Sequence, residues 1–154
     1  MPKQSELNLR DDDELLRLLF SSIDYHDGDI TKVAISLDDL KERGFSLDIA
    51  RIASQSIVNE RALAQVSRAK APEDREKGYI AKFSNLEINA ELDTDAKKLF
   101  LTNYSPMHGN HAHASLTCFI GAGEKRSYYL LARARLREHL LKNIVELERY
   151  PFSH

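Results

Sequence analysis

A single cysteine, Cys118, leaves no internal disulfide to be made. That excludes a disulfide-stapled secreted fold and suits a reducing compartment. Glycine and proline are scarce, at 6 and 4 residues, which excludes collagen-like and low-complexity classes. Neither sign of charge dominates: 22 Lys and Arg stand against 24 Asp and Glu, for a net charge of -2. Without a global basic field, any anion site must be local. No apolar run approaches the ~20 residues that cross a bilayer. The opening Met1 to Glu6 lacks the apolar core of a secretion signal. These absences predict a cytoplasmic protein with no membrane partner. What is present, 42% apolar and 30% charged residues over 154 positions, suffices for a real core. The expectation is one domain over 1–154, with 1–10 polar and flexible.

The hydrophobic pattern predicts an α+β fold: a small antiparallel or mixed sheet with helices packed on it and a long C-terminal helix. A parallel α/β sheet is the alternative, disfavoured because the strands are not continuous apolar runs. Asp11 to Phe20 reads as a short helix, with Glu14 at capping-box spacing and a stripe of Leu15, Leu18 and Leu19. Ser21 to Asp29 holds Asp24, Asp27 and Asp29 around Gly28 but lacks the order and distant Glu of a calcium loop, so it reads as a turn. Val33, Ile35 and Leu37 suggest a strand over 31–37. A second, brief strand follows at Phe45-Ser46-Leu47. Ser54 or Ser56 would cap a helix to about Lys70, with Val58, Ala62 and Val66 in register. Pro72 to Lys77 is a loop, 79–88 a strand, and Thr94 or Asp93 caps a short helix through Phe100. The last helix runs from Glu124 to about Arg149, stopped by Pro151.

Chemistry is suggested in two places. His111 to Ile120 alternates, so His111 and His113 would share one face of a strand, about 6.5–7 Å apart, and Cys118 the other. With His108, three of the six histidines lie within six residues. Two histidines can act as general base and acid near neutrality. Three could hold a zinc-like ion with an open position, although no acidic ligand sits at a convincing short spacing. They could equally be hydrogen-bonded in the sheet or face solvent. No cofactor is expected. The second place is the long helix. At ~100° per residue, Arg126, Arg133 and Arg137 fall in one row within the face formed by Tyr129, Leu130, Ala134, Leu140, Leu141, Ile144, Val145 and Leu147. Charges on an apolar face are paired or snorkel. Asp38, Asp39 or Asp48 are candidate partners, and the other reading is a phosphate or carboxylate held by guanidinium forks.

Two segments, Arg43-Gly44-Phe45-Ser46-Leu47-Asp48 and Asn110-His111-Ala112-His113-Ala114-Ser115-Leu116, resemble stretches of a family of small, uncharacterised bacterial proteins with an Asn-Pro-Ala-His-Ala-like segment. His113 stands at the family's histidine, His111 replaces its alanine, and its proline is missing. The resemblance covers roughly 30–120. It implies a bacterial or phage-related source and one site linking Ser46 and Asp48 to His113.

Together these readings predict a small bacterial cytoplasmic protein that binds, and if an enzyme acts on, a phosphate-bearing ligand, a nucleotide or nucleic acid. His111 and His113 are the candidate catalytic residues. Arg43, Ser46, Asp48, Arg126, Arg133 and Arg137 are the candidate ligand-binding ones. The alternative is a non-enzymatic interaction or regulatory subunit presenting Tyr128, Leu131 and the basic residues of its C-terminal helix to a protein partner.

Overall fold

The computed structural model describes residues 8–68, 73 and 75–147. Its fold is α+β. Six strands form one antiparallel sheet: β1 (Glu14–Ser22), β4 (Phe45–Ile49), β5 (Arg75–Ser84), β6 (Phe100–Tyr104), β7 (His113–Cys118) and β8 (Ile144–Glu146). Across the sheet their order is β6-β7-β4-β1-β5-β8. A small hairpin, β2 (Tyr25–His26) with β3 (Asp29–Ile30), lies apart from the sheet. Its turn is Asp27-Gly28, both at positive φ, the Asp-Gly chemistry that a two-residue hairpin turn demands. The helices are α1 (Gln55–Arg68), the short α2 (Asn85–Asn89) and α3 (Arg126–Leu141).

The two sheet faces have different cores. On one, Leu15 and Leu19 of β1, Phe45, Leu47 and Ile49 of β4, and Ala114, Leu116 and Cys118 of β7 pack against Tyr129, Ala132, Leu136 and Leu140 of α3. On the other, Leu18 and Phe20 of β1 meet Ala62 of α1, with Val66 and Ile80 beside them. Glu91 helps fix the rotation of α3: its carboxylate meets Arg135 Nη1 at 3.1 Å and His139 Nε2 at 2.9 Å.

The structure corrects several sequence expectations. Residues 14–20 belong to the strand β1, not to a helix. β1 is central and covered on both faces, so apolar residues occur at consecutive positions and their spacing imitates a helical stripe. Residues 31–37 form no strand; Lys32–Ala34 is a 3₁₀ turn that buries Ala34 and Ile35 and leaves Val33 68% exposed. A wide helical turn, Asp39–Arg43, follows. The short helix falls at Asn85–Asn89 rather than after Thr94, capped by Ser84 Oγ, which accepts from Glu87 N at 3.2 Å. Residues 93–97 instead form a turn on Asp93, whose Oδ1 accepts from Asp95 N and Lys97 N. Finally, α3 ends at Leu141, and Ile144 to Glu146 returns as the edge strand β8 against β5. Of the loop expected over 72–77, Arg75 to Lys77 instead open β5, and the strand expected over 79–88 gives way to α2 from Asn85. Pro72, the expected helix end near 149 and most of the first ten residues lie outside the described residues.

The expected strand at 45–47 and the helix near 54–70 are found as β4 and α1, and the sheet includes β7 as expected. Gly44, at φ +90°, enters β4; a Cβ there would lie 2.9 Å from Ser115 Cβ. Only glycine adopts this conformation freely and lets β4 lie this close to β7.

The entry to β1 is fastened by a buried ion pair. Asp13, 4% exposed, receives Arg51 Nε at 2.8 Å and Nη2 at 3.0 Å, and Arg10 N at 2.7 Å. Burial alone would raise the Asp13 carboxyl, but Arg51 and the Arg10 amide outweigh it and hold it below the ordinary value. Asp13→Ala should therefore cost ~1.5–3 kcal/mol at neutral pH, the range for hydrogen bonds to a charged group, since the Arg51 left behind is partly in water. A depressed folded-state pKa gives stability that is present above the unfolded value of about 3.9 and lost as pH falls through the folded value. Urea unfolding at several pH values should show the mutant and unmutated proteins converging below about pH 4.

Candidate functional site

β4 and β7 pair so that Asp48 lies opposite His113, and Ser46 opposite Ser115. These four residues alternate with core residues and so share the face away from α3. His113 is 7% exposed. Its Nδ1 lies 2.7 Å from the Ser105 carbonyl oxygen, which can only accept, so Nδ1 carries the proton. In the neutral ring Nε2 is then the acceptor, and Ser46 Oγ, 3.1 Å away, donates to it. Asp48 is 3% exposed, and its hydrogen bonds go elsewhere than the imidazole. One of its oxygens takes Arg61 Nη1 from α1 and the other takes Asn110 Nδ2 at 2.9 Å. Asn110 Oδ1 in turn accepts from Ala112 N at 3.1 Å, which shapes the entry to β7.

The link between Ser46, Asp48 and His113 is thus a contiguous polar cluster. Two arginines of this region are ones that sequence reasoning misses. Arg61 sits beside Ala62 on the inward side of α1, and an arginine on that apolar stripe is the available signal. Arg17 falls in the segment expected to be helical; in the structure its Nη1 donates to the Ser46 carbonyl at 2.8 Å, with the guanidinium 4.1 Å from the centre of the Phe45 ring.

The other expected residues lie elsewhere. His111 precedes β7, in a turn, and is exposed, as is His108. His111 therefore does not share a strand face with His113. Among the described residues no three His, Cys, Asp or Glu side chains are grouped to hold a metal ion. Arg43 is exposed and faces Asp39 at 3.2 Å and Asp38 at 3.8 Å. The buried side of α3 is Tyr129, Ala132, Leu136, His139 and Leu140, so the arginine row lies on its flank. Counting Ile144, Val145 and Leu147 as helical moves the apparent apolar centre toward the arginines. Arg126 is exposed at the helix start. Arg137 forms a two-pronged pair with Asp29, its Nε at 3.0 Å, and this hydrogen bonding holds the Asp29 carboxyl below its ordinary value.

Arg133 and Arg137 line a groove of about 430 Å³ between α3 and the segment from Asp29 to Ile35. Ile30, Ile35, Leu130 and Ala134 supply its apolar surface; Lys32, Thr31 and Asp29 complete it. The groove is on the α3 side of the sheet and His113 on the other, so the histidine and the arginine row do not share a cavity. A larger cavity of about 650 Å³ lies by α1, with Leu16, Ile80, Val58 and Leu147 in its lining. Its one basic lining residue, Lys82, faces Glu14 at 3.7 Å.

No family model matches the chain, and no curated protein or solved structure matches it. The geometry of the two clusters is therefore the basis for reading them.

Asp48 is the residue whose support can be measured. Arg61→Ala should lower stability by ~3–5 kcal/mol, because it leaves a buried carboxylate with one amide donor. Asp48→Asn in the same chain should recover much of that loss. Denaturant unfolding of the single and double variants checks this, and simply additive losses would contradict it.

Proposed function

We propose that the protein binds a small phosphate-bearing ligand in the groove between α3 and the Asp29–Ile35 segment. Arg133 carries the reading. It lines the groove, yet among the described residues no carboxylate pairs with it. A partly buried guanidinium without a counter-charge is unfavourable, and an incoming anion would relieve it. Arg137 lies one helical turn further on, so the two side chains neighbour each other on α3. Its fork already donates to the Asp29 carboxylate, the planar two-oxygen pattern that a phosphate also presents. Lys32 adds a third cation from the opposite wall. The volume falls within the ~300–1,000 Å³ of ordinary ligand pockets. With apolar surface from Ile30, Ile35 and Leu130, it suits a nucleotide-sized molecule better than an extended nucleic-acid backbone, which the net charge of -2 also disfavours. No histidine lines the groove, so the proposal there is binding without proton transfer.

The expectation of a bacterial, cytoplasmic setting goes with this reading. No helix among the described residues is long and apolar enough to cross a membrane. A protein-interaction role for α3 has less support: Tyr128 packs against the core and meets the Tyr129 ring edge-on at 5.2 Å.

Inorganic phosphate and mononucleotides should raise the melting temperature, by about 2–4 °C for each kcal/mol of binding linkage. The rise should shrink with added salt. Arg133→Ala should leave basal stability nearly unchanged and abolish the rise. If no phosphate compound shifts the melting temperature and Arg133→Ala is strongly destabilised, the arginine serves the fold and the proposal fails.

A further inference from the structure

We propose that Ser46 is an activated nucleophile with His113 as its general base, forming a second site on the face of the sheet opposite the arginine groove. The inference rests on the orientation of one imidazole. Nδ1 of His113 is committed to the Ser105 carbonyl at 2.7 Å, with Ser105 Oγ also within 3.0 Å. That leaves the Nε2 lone pair directed at Ser46 Oγ, 3.1 Å away. A carbonyl that fixes the tautomer and orients the ring does for His113 what a carboxylate does in Ser-His-Asp sites. Asp48, the nearest carboxylate in register, is turned to Arg61 and Asn110 instead. The imidazole nitrogen not held by Ser105 therefore meets a hydroxyl.

The serine is reachable. Ser46 is partly exposed, as are Ser115 and Thr117, which alternate with the core residues of β7. Asn103, paired with Ser115 across the β6–β7 ladder, is exposed. The α1 helix packs on Leu18 and Phe20 of β1, and this half of the face keeps its polar side chains. Ser115, directly opposite Ser46 in the ladder, supplies a second hydroxyl on the same face, the candidate donor to a developing oxyanion.

The substrate class that fits is a small carboxylic ester approaching from the exposed side. Ser46 Oγ attacks the carbonyl carbon while its proton passes to Nε2. The ester C–O bond then breaks, and the leaving alcohol takes that proton from Nε2. Water, deprotonated by the same nitrogen, cleaves the Ser46 ester, releases the acid and returns the proton to Ser46.

The test uses an alkyl fluorophosphonate, which forms a P–O bond to an activated serine with loss of fluoride. Mass mapping of the folded, unmutated protein should find one principal adduct, on Ser46. His113→Gln should slow its formation about 100-fold or more, the range lost with a general base. Ser46→Cys gives a second readout with iodoacetamide: the introduced thiol should alkylate readily, at a rate that depends on His113. Cys118, buried and with its thiol pushed up to about 12 by that burial, should stay unlabelled. Absence of a Ser46 adduct on protein with a native circular dichroism spectrum overturns the proposal. So does labelling of Ser46 at an equal rate in His113→Gln, or labelling spread evenly over the serines. None of these results depends on phosphate binding at Arg133.

Discussion

A carboxylate buried in the middle of a sheet must be neutralised where it stands, and Asp48 meets that requirement by joining three parts of the chain. Arg61 brings α1 onto the sheet, and Asn110 brings in the loop before β7. Asp48 itself sits in β4, opposite His113. Leaving such a charge unpaired costs several kcal/mol, so each partner is constrained by the other two. The register of β7 on β4 follows, and with it the positions of His113 and Ser115. The close approach of the two strands at Gly44 belongs to the same constraint, since a side chain there would meet Ser115.

The sheet divides the chemistry of the molecule. On the α3 side the core is large and apolar, with the Arg17 guanidinium against Phe45, and Arg133 and Arg137 on the flank of the helix face the segment from Asp29 to Ile35. On the α1 side the face is mixed: apolar under α1, polar over β4 and β7. A histidine there is close to hydroxyls and amides, while the arginine row is separated from it by the sheet and the α3 core. An anion held by α3 would therefore not present itself to His113.

Much of this is legible where one side of an element is buried and the other is not. The strand at 113–118 and the helix with Val58 and Ala62 follow from simple periodicity, because burial alternates with exposure along them. The strand β1 is not legible, since both of its faces are covered and no alternation survives. The strand β8 is hidden because Ile144 and Val145 continue the helical spacing of α3, and edge pairing with β5 overrides it. Long-range partners are out of reach: Arg137 finds Asp29, 108 positions away, in a turn that local composition links to nothing. Arg61 is more accessible. It lies beside Ala62 on the apolar stripe of α1, the kind of signal the arginine row of the last helix also gives, and here the arginine meets a buried acid. The joining of Ser46, Asp48 and His113 is suggested by a resemblance in two short segments and is present in the structure as a cluster, although its aspartate orients an asparagine and an arginine rather than the histidine.

The proposed anion groove at Arg133 and the histidine cluster are separate sites. Nuclear magnetic resonance of the protein, with arginine side-chain N–H groups and histidine rings followed during titration with inorganic phosphate, tests that separation most directly. The account predicts saturable shifts at Arg133 Nε–H and at the Thr31 and Lys32 amides, with the His113 ring signals unmoved at constant pH. Shifts centred on His113 and Arg61 with a silent Arg133 would contradict it.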